Sequence, residues 1–332
     1  METTVASEPK PKRRSGVPWR HFAPVACWLM IALWTVFALI RLFGLERTWY
    51  LDSFMAFTPY MTMLSLVPLI FAVVLRRWYA VAAALVVTVV LGTFFVPRAF
   101  GGPDPGKGPT LRVMSSNMDI GAADPQTIVN LIRTQRIDLI GFDEFTPQAQ
   151  RRLSAAGLTT LLPFNATHPL DGATGSAIYS RFPLSQAGYQ LLAGGFGQEY
   201  AMVAVPGAMP LEFIAVHTRA PGYDGSQSDW AKSIAQEPSP SETVIRLLGG
   251  DFNATFDQKP LRKLAATGYT DIASQLGDGL TPTWPYDGRN IPPITLDHFF
   301  ADPRVGAVSF GAQKVDGTDH RAIWATVTLP PA

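Results

Sequence analysis

Three long runs without a charged residue lie in the first third of this 332-residue chain, and they constrain its fold more than any other feature. The runs are Ala23–Ile40, Ser53–Leu75 and Trp78–Val96. Each approaches the ~20 apolar residues that a helix needs to cross the hydrocarbon core of a bilayer. A cleaved signal peptide is the alternative for the first run, but that run ends in the bulky sequence IRLF instead of a small-residue cleavage site. We therefore predict three transmembrane helices within residues 23–96.

The basic residues around these runs predict the orientation of the chain in the membrane. Short loops on the cytoplasmic side carry the excess of Lys and Arg. Residues 1–22 hold five basic side chains, and Arg76 and Arg77 follow the second run, whereas the opposite side holds four in total. We predict a multi-pass plasma-membrane protein in which residues 1–22 form a basic cytoplasmic tail. Three crossings would place the rest of the chain outside the cytoplasm.

Composition separates the chain into two parts of opposite charge. Residues 1–108 carry eleven Lys or Arg and five acidic residues, whereas residues 109–332 carry 16 basic and 21 acidic residues. Between the two parts, residues 97–110 contain four prolines and predict a Pro/Gly linker. Nucleic-acid binding depends on clustered basic side chains. A nucleic-acid partner is therefore possible for the acidic part but is not favoured by its charge.

From residue 111 to residue 332, short β-rich runs alternate with helical patterns. Nine strand candidates and four helices predict an α/β fold of two packed sheets with outer helices. The predicted strands are Leu111–Ser115, Ile137–Phe142, Ser176–Ser180, Ala201–Val205, Leu211–Val216, Val244–Leu248, Leu296–Phe300, Val305–Phe310 and Ala322–Thr328. The single cysteine, Cys27, lies in an apolar run, which excludes an internal disulfide and a zinc-thiolate site.

Polar residues follow several of these strands directly. Asp143 and Glu144 follow Ile137–Phe142, and His217 follows Leu211–Val216. The sequence GGDFN follows a third strand, and two Asp-His pairs occur later, at residues 297–298 and 319–320. Polar groups at strand ends can converge on one sheet edge, and carboxylate and amide oxygens suit Mg²⁺ or Mn²⁺. The histidines can transfer protons or stabilise developing charge.

The order of these motifs resembles the endonuclease/exonuclease/phosphatase family, also called deoxyribonuclease I-like, and points to a membrane-anchored member of the bacterial type. The motifs are RVMSSNM with Asn117, IDLIGFDE with Glu144, GSAIYSRFPL, AVHT with His217, GGDFNAT with Asp251 and Asn253, LDHFF with Asp297, and TDHRAIWA with Asp319 and His320. They extend from residue 111 to about residue 328. The resemblance implies a four-layer α/β sandwich and a Mg²⁺- or Mn²⁺-dependent phosphoric ester hydrolase that uses water as the nucleophile.

The resemblance also implies a role for each matched residue. Glu144 would be the principal metal ligand, with Asn117 helping to hold the metal or the phosphate and Asp319 also assigned to the metal. Among the catalytic residues, Asp251 would orient or activate the attacking water, and Asn253 would bind a phosphate oxygen. His320 would contact the phosphate, with Asp319 orienting its ring. Asp297 would support the site, and His217 occupies a position where the family has His or Tyr.

Other polar residues are predicted to be structural. Asp143 and His298 fit supporting roles, and His168 fits a loop. Trp284, in a Thr-Trp-Pro segment, fits a packed aromatic side chain, although the segment resembles one near the family's site.

Three hypotheses for the function remain open at this point. The first is hydrolysis of a phosphodiester or phosphomonoester outside the membrane, including a lipid head group. The second is an extracytoplasmic nuclease, and the third is a catalytically silent binding module.

Overall fold

The computed structural model describes residues 19–222 and 225–332 of the chain. Residues 1–18, most of the predicted basic tail, lie outside the described residues. Two parts follow one another along the chain. We call residues 19–99 the helical region and residues 110–332 the α/β domain.

The helical region contains two helices that are long and apolar enough to cross a membrane, Phe22–Phe43 and Trp78–Ala99. A third candidate, Trp49–Met55 together with Thr58–Val74, is bent by 68°. In order along the chain, the elements are α1 (Trp19–Phe43), α2 (Trp49–Met55), α3 (Thr58–Leu64), α4 (Leu66–Val74), α5 (Trp78–Phe95) and a 3₁₀ turn (Val96–Ala99).

The middle apolar run differs from the single helix that we expected. The sharp bend lies between α2 and α3, just before Pro59. A second, smaller break separates α3 from α4 at Ser65, because Pro68 has no N–H to donate to the carbonyl one turn earlier. The hydroxyl of Ser65 instead donates to the carbonyl of Thr62 at 2.6 Å. Uncharged composition thus predicted an apolar segment but not its shape.

Two small apolar clusters show how the helices pack. Cys27 and Ile31, near the start of α1, pack with Ala72 at the end of α4 and with Ala80 and Ala84 at the start of α5. Residues from the other end of α1 and of α5 pack instead with the end of α2. The segment α3–α4 therefore runs antiparallel to α1 and α5.

The α/β domain contains two six-stranded sheets. In space, the first is ordered β11-β12-β1-β2-β4-β3 and the second β5-β6-β7-β8-β10-β9. The strands are β1 (Thr110–Asn117), β2 (Leu139–Asp143), β3 (Phe164–His168), β4 (Ser176–Ser180), β5 (Leu184–Leu191), β6 (Gly197–Val203), β7 (Leu211–His217), β8 (Ile245–Asp251), β9 (Thr270–Asp271), β10 (Asp297–Ala301), β11 (Gly306–Lys314) and β12 (Arg321–Thr328).

Six helices accompany these sheets: α6 (Pro125–Thr134), α7 (Pro147–Ala155), α8 (Leu158–Leu161), α9 (Ser226–Ala235), α10 (Lys259–Ala265) and α11 (Ile272–Leu276). Local sequence sets their starts. The carboxylate of Asp124 accepts the N–H of Thr127 at 2.8 Å, and Pro125 occupies the first turn of α6, where its missing N–H costs nothing. Thr146 caps α7 in the same way.

The core of the domain lies between the two sheets. Val113 and Leu139 of the first sheet pack against Phe213 and Leu247 of the second, and all four are fully buried. On the outer face of the first sheet, α6 and α7 cover Ile140. Helices α9 and α10 cover the outer face of the second sheet. This is the predicted four-layer α/β sandwich.

Charged residues join the helical region to the α/β domain. Asp257, which is buried, accepts two hydrogen bonds from Arg98 at 2.8 and 3.0 Å and lies 3.5 Å from Nε of Arg41. Glu46 accepts the backbone N–H of Lys259 at 2.9 Å. These contacts bind the ends of α1 and α5 to residues 257–259, a few positions after the GGDFN motif.

The segment predicted as a Pro/Gly linker, residues 97–110, lies along the domain. Gly102 donates its N–H to the carbonyl of Gln275 at 3.0 Å, and Asp104 forms a bridge with Ala307. The connection between the two parts is therefore held by hydrogen bonds as well as by the ion pairs.

Candidate active site

The first half of the site comes from two parallel neighbours, β1 and β2. Asn117 and Asp143 are register partners at the ends of these strands, so both reach the same edge of the sheet. Glu144 follows at once, with a positive φ of 55° that ends the strand. Its carboxylate accepts the side-chain amide of Asn117 at 3.3 Å and the backbone N–H of Ile120 at 2.8 Å. Burial raises the pKa of Glu144, and these two hydrogen bonds oppose that rise.

The second half comes from β7, β8 and β10 of the other sheet. His217 and Asp251 are register partners at the parallel ends of β7 and β8, and Asp297 opposes Asp251 at the start of β10. The second glycine of the GGD sequence, Gly250, is required by close packing, because a Cβ there would lie 2.0 Å from the carbonyl oxygen of Val216. Strand β7 can therefore pair with β8 at this position only if the residue is glycine.

Two hydrogen bonds connect the edges of the two sheets. The amide of Asn117 donates to the carboxylate of Asp251 at 3.2 Å, in addition to its bond with Glu144. The backbone N–H of Asp251 donates to the side chain of Asp143 at 3.2 Å, and Asp143 is fully buried. Asp143 therefore has the supporting position that we predicted, between the sheets.

His320 stands just before β12 with its ring among carboxylates. Its Nδ1 lies 2.9 Å from Asp297, and its Nε2 lies 3.6 Å from Asp251. Burial lowers the pKa of His320, but the negative charges of Asp297 and Asp251 outweigh burial and raise the pKa to about 10. His320 is therefore an imidazolium at neutral pH.

The partner of His320 corrects one expected role. The family resemblance assigned Asp319 to orient the ring, but the carboxylate that holds it is Asp297. Asp319 lies 3.9 Å from Nε2 of His320 and accepts hydrogen bonds from Trp284 at 2.8 Å and from Arg289 at 2.5 Å. Asp297, which is distant in sequence, therefore lies closer to the ring of His320 than its sequence neighbour Asp319 does.

His217 is the second histidine of the site, and its ring is neutral where that of His320 is positively charged. Its Nε2 lies 3.7 Å from Glu144 and 3.9 Å from Asp251. Burial and the positive charge of His320 lower the pKa of His217 to about 3. The ring of Phe196 packs against it edge-on at 4.9 Å. A neutral imidazole and an imidazolium thus both lie near the carboxylate of Asp251.

Asn253 occupies a turn directly after Asp251 and holds that carboxylate. Its backbone N–H donates to Asp251 at 2.7 Å, and its side-chain amide donates to Asp251 at 3.2 Å and to the carbonyl of Thr218 at 2.8 Å. The amide nitrogen is thus used within the protein. The predicted contact of Asn253 with a phosphate oxygen stays a prediction.

Of the two other histidines considered, His298 has the supporting position that we predicted, whereas the prediction of a loop at His168 was wrong, since His168 is the last residue of β3. His298 is buried between the side chain of Asp271 at 3.3 Å and the carbonyl of Ala254 at 3.0 Å. His168 stacks on Tyr189 with ring centroids 3.8 Å apart. Neither residue lines the cavity formed by the site.

A cavity of about 490 Å³ opens over these residues. Its lining includes six of the eight predicted site residues, namely Glu144, His217, Asp251, Asn253, Asp319 and His320. Asn117 and Asp297 do not line the cavity and contact the lining residues from below. Three further lining residues, Asp119, Trp284 and Arg289, come from loops. We predicted a packing role for Trp284 and did not single out the other two, because no strand pattern marks them.

The helical region also contributes to this cavity, which the sequence did not indicate. Ser53, Ala56 and Phe57, from the end of α2 and the turn into α3, line it together with the carboxylates. The described lining thus comes from both parts of the chain.

The donor set fits a divalent cation. Four carboxylates, those of Asp119, Glu144, Asp251 and Asp319, line one cavity, and hard oxygen donors suit ions such as Mg²⁺ or Mn²⁺. Ligand atoms of Asp251, Asp297 and His320 also lie within 4.8 Å of one another. We assign His320 to the charge network, because its Nδ1 contacts Asp297 and its Nε2 lies near Asp251.

Comparison with protein families agrees with this geometry. The profile of the endonuclease/exonuclease/phosphatase family matches residues 114–320, which contain every residue of the predicted site. The chain belongs to this family. Its members are phosphoester hydrolases, mostly metal-dependent, and the carboxylate-lined cavity agrees with that chemistry. No curated protein sequence matches the chain significantly.

Solved structures with the same fold include other members of the endonuclease/exonuclease/phosphatase family. A protein of this family from Beutenbergia cavernae is 18% identical, with a TM-score of 0.53, and the match covers 67% of this chain and 72% of that one. TDP2 from D. rerio, solved with a single-strand DNA product, is also 18% identical, with a TM-score of 0.53 over 66% and 99% of the two chains. A mannosyl-6-phosphatase from Bacteroides thetaiotaomicron is 14% identical, with a TM-score of 0.51 over 66% and 100%.

Proposed function

We propose that the chain is a membrane-anchored, divalent-metal-dependent hydrolase that cleaves a phosphodiester or phosphomonoester outside the membrane with water as the nucleophile. One observation carries the proposal. The linked carboxylates of Glu144 and Asp251 and the imidazolium of His320 line a single cavity where the edges of two rigid sheets meet. The filled site weighs against a catalytically silent binding module.

The residues of the cavity divide the chemistry between them. The positive ring of His320 faces the cavity and stabilises negative charge on a phosphoryl group, while Asp297 fixes its orientation. Burial raises the pKa of Asp251 to about 7, against the opposing charge of His320, so this carboxylate can accept a proton from an attacking water. Asn253 holds Asp251 in place for that step.

A divalent cation would be held by Glu144 and Asp319, with Asn117 supporting Glu144. Bound there, the cation would polarise the phosphoryl oxygens and offset the repulsion between the acidic cavity and an anionic substrate. Arg289, which pairs with Asp319, supplies a further positive charge at the same wall.

The arrangement of the helices supports a topology with three crossings. The ends of α1 and α5 both contact the α/β domain, through Arg41 and Arg98, and α3–α4 runs antiparallel to them. Helices α1, α3–α4 and α5 then cross in turn. The excess of basic residues in the N-terminal tail favours a cytoplasmic location for it. The α/β domain would lie outside.

A nuclease remains the alternative function, and TDP2 was solved with a single-strand DNA product. The net charge of residues 109–332, 16 basic against 21 acidic side chains, favours a small phosphoester over a nucleic acid. The mannosyl-6-phosphatase has the same fold, so the architecture also accommodates small substrates.

Two experiments test the proposal. The first fuses a compartment-sensitive reporter to the C-terminus of the full chain, and a signal from the cytoplasm would contradict the topology.

The second screens the purified full chain with Mg²⁺ against small phosphomonoesters, phosphodiesters and single-stranded DNA. We expect turnover of a small ester to exceed that of DNA, and the reverse result would favour the nuclease.

A further inference from the structure

Residues Ser53, Ala56 and Phe57 of the helical region form one wall of the active-site cavity, and this wall indicates the class of substrate that the cavity binds. We infer that the hydrolase proposed above acts on a phosphoester lipid of the bilayer, which reaches the catalytic carboxylates along the turn between α2 and α3. We call residues 49–58 the elbow. The inference rests on the proposed function and adds to it where the substrate comes from.

The elbow is fixed to the α/β domain beside the catalytic residues. The carbonyl of Asp52 accepts the side-chain amide of Gln258 at 3.0 Å, and Gln258 lines the cavity. Just beyond the elbow, the hydroxyl of Tyr60 donates to the carbonyl of Pro293 at 2.6 Å. Pro293 belongs to the loop that carries Arg289 and Ile291. The opening of the cavity is therefore held between the first turns of α3 and this loop.

The exposed side chains of α2 place the elbow at the level of the lipid head groups. Trp49, Tyr50 and Phe54 are 37%, 56% and 45% exposed, whereas Asp52 and Met55 face the protein. Trp and Tyr concentrate at the interface between water and membrane. The 68° bend then turns the chain from α2 into the apolar segment Thr58–Val74. Because the same elbow lines the cavity, the cavity opens at this level.

Apolar side chains line this cavity beside its four carboxylates. Phe57 is half-buried on the elbow side, and Ile120 and Ile291 are 55% and 38% exposed on the domain side. A small polar phosphoester has no part that would cover them. The first methylenes of a lipid chain would cover these apolar side chains. The phosphate would at the same time reach Glu144 and Asp251 in the cavity of about 490 Å³.

Ile120 adds an independent argument. Its φ of 53° lies in the left-handed region, which β-branched residues adopt at a cost. The bond from its N–H to Glu144 accounts for the backbone conformation but not for the side chain. Asparagine or glycine would adopt this conformation more easily. An exposed isoleucine kept in a strained position at the opening indicates a function for its apolar side chain.

The experiment compares lipid and soluble substrates with the full chain in vesicles. The vesicles contain phosphatidylcholine mixed with phosphatidylglycerol, phosphatidylinositol or phosphatidic acid, and the soluble probes are para-nitrophenyl phosphate and its bis ester, all with Mg²⁺. We expect hydrolysis of at least one vesicle lipid, with a kcat/KM at least ~10-fold above that of the better soluble probe, since the chain adds buried apolar area.

Variants at the opening test the access route. Ile120→Asn and Ile291→Ser should each lower kcat/KM for the lipid by about 10-fold relative to the soluble probe, because only the lipid covers these side chains. The matched control is Leu191→Ser, an exposed leucine on β5 that does not line the cavity, which should change neither rate. Ile120→Asn also suits its backbone conformation, so a folded variant is expected.

The outcomes separate the two proposals. Turnover of a soluble probe without turnover of any vesicle lipid overturns the lipid inference and leaves the hydrolase standing. Equal losses on lipid and soluble probe in both isoleucine variants overturn the access route. If the full chain hydrolyses none of these esters with Mg²⁺ or Mn²⁺, the proposed function itself fails.

Discussion

The helical region and the α/β domain bury their charged residues for different purposes. In the α/β domain, several buried charged side chains line one cavity, such as Asp251 and His320, whereas others, such as Glu237, do not line it. In the helical region, three of the four buried charged residues that the structure describes, Arg41, Glu46 and Arg98, pair with residues 256–262 of the domain. The fourth, Asp52, accepts a hydrogen bond from Gln227. Apolar residues of different sizes, from Ala72 to Phe37, pack between the helices. Apolar composition thus determines how the helices pack, and the charged residues determine where the domain is attached.

The attachment is close to the chemistry. The motif that supplies Asp251 and Asn253 is followed within a few residues by Asp257, which binds Arg41 at the end of α1 and Arg98 after the end of α5. Changes at this junction test whether the two regions are one unit, and changes within the site test the chemistry alone.

The largest expected effect follows from breaking the junction. Asp257→Asn leaves Arg41 and Arg98 buried without their carboxylate, and the loss of one partner from a buried ion pair costs about 3–5 kcal/mol. We expect the free energy of unfolding of the full chain in detergent to fall by that amount, as measured by denaturant titration. The control is Asp229→Asn, which removes an exposed pair with Lys232 and should cost less than about 1 kcal/mol. Equal small losses in both variants would show that the two regions are independent.

The next effect lies within the site. Glu144→Gln keeps the shape of the side chain but removes the negative charge assigned to the metal. We expect kcat/KM to fall at least ~10²-fold at saturating Mg²⁺, about 2.7 kcal/mol, with unfolding unchanged. The affinity for Mn²⁺, measured by calorimetry, should fall in parallel. A variant that retained full turnover would remove Glu144 from the metal site.

A third prediction concerns the pair formed by Asp297 and His320. Because these residues act through one hydrogen bond, Asp297→Asn, His320→Ala and the double variant should have rates within about 10-fold of one another, each roughly 30-fold or more below wild type. In the double variant of Asp319→Asn with His320→Ala, the rate should fall by the product of the two single losses. Losses that multiply for Asp297 and His320, but not for Asp319 and His320, would restore the role first expected for Asp319.

The third prediction also has a readout in pH. Without Asp297, the charge that raises the pKa of His320 is reduced. The turnover of Asp297→Asn should therefore fall at a lower pH than that of wild type as the imidazolium loses its proton. Identical pH profiles would indicate that Asp297 has only a packing role.

The smallest effect is a pH dependence inside the α/β domain. Burial raises the pKa of Glu237 to about 8, although Gln198 donates to its carboxylate at 3.1 Å. Between pH 4.5 and pH 8 the unfolded chain loses this proton and the folded chain keeps it, so stability falls as pH rises. Glu237→Gln should then have a higher free energy of unfolding than wild type at pH 8 and an equal one near pH 4. Exposed Glu242→Gln should show no such difference.

Much of the fold could be predicted because strands between two layers are strongly apolar. Leu211–Val216 and Ile137–Phe142 were identified from such runs. Three of the four edge strands were missed, namely β3, β5 and β9. The residues of β5, for example, alternate irregularly between exposed and half-buried. The bend before α3 was missed for a related reason, since an uncharged sequence shows that a segment is apolar but not where its helix breaks.

The site was predicted as far as its residues lie in ordered motifs. Two features required the structure. The carboxylates of Asp297 and Asp319 both lie near His320, and only their distances, 2.9 and 3.9 Å, show which one holds the ring. Phe57 of the elbow lines the cavity from a segment almost 90 residues before Glu144, and apolar composition identifies such a residue only as membrane-facing.

The most direct test of the account is the dependence of turnover on a metal. The purified full chain is assayed with a soluble phosphodiester after removal of divalent cations by EDTA, and again after Mg²⁺ or Mn²⁺ is restored. The account predicts that turnover falls at least ~10²-fold in EDTA and recovers on addition of the cation, since the carboxylates of the cavity would otherwise repel the substrate. Undiminished turnover in EDTA would contradict it.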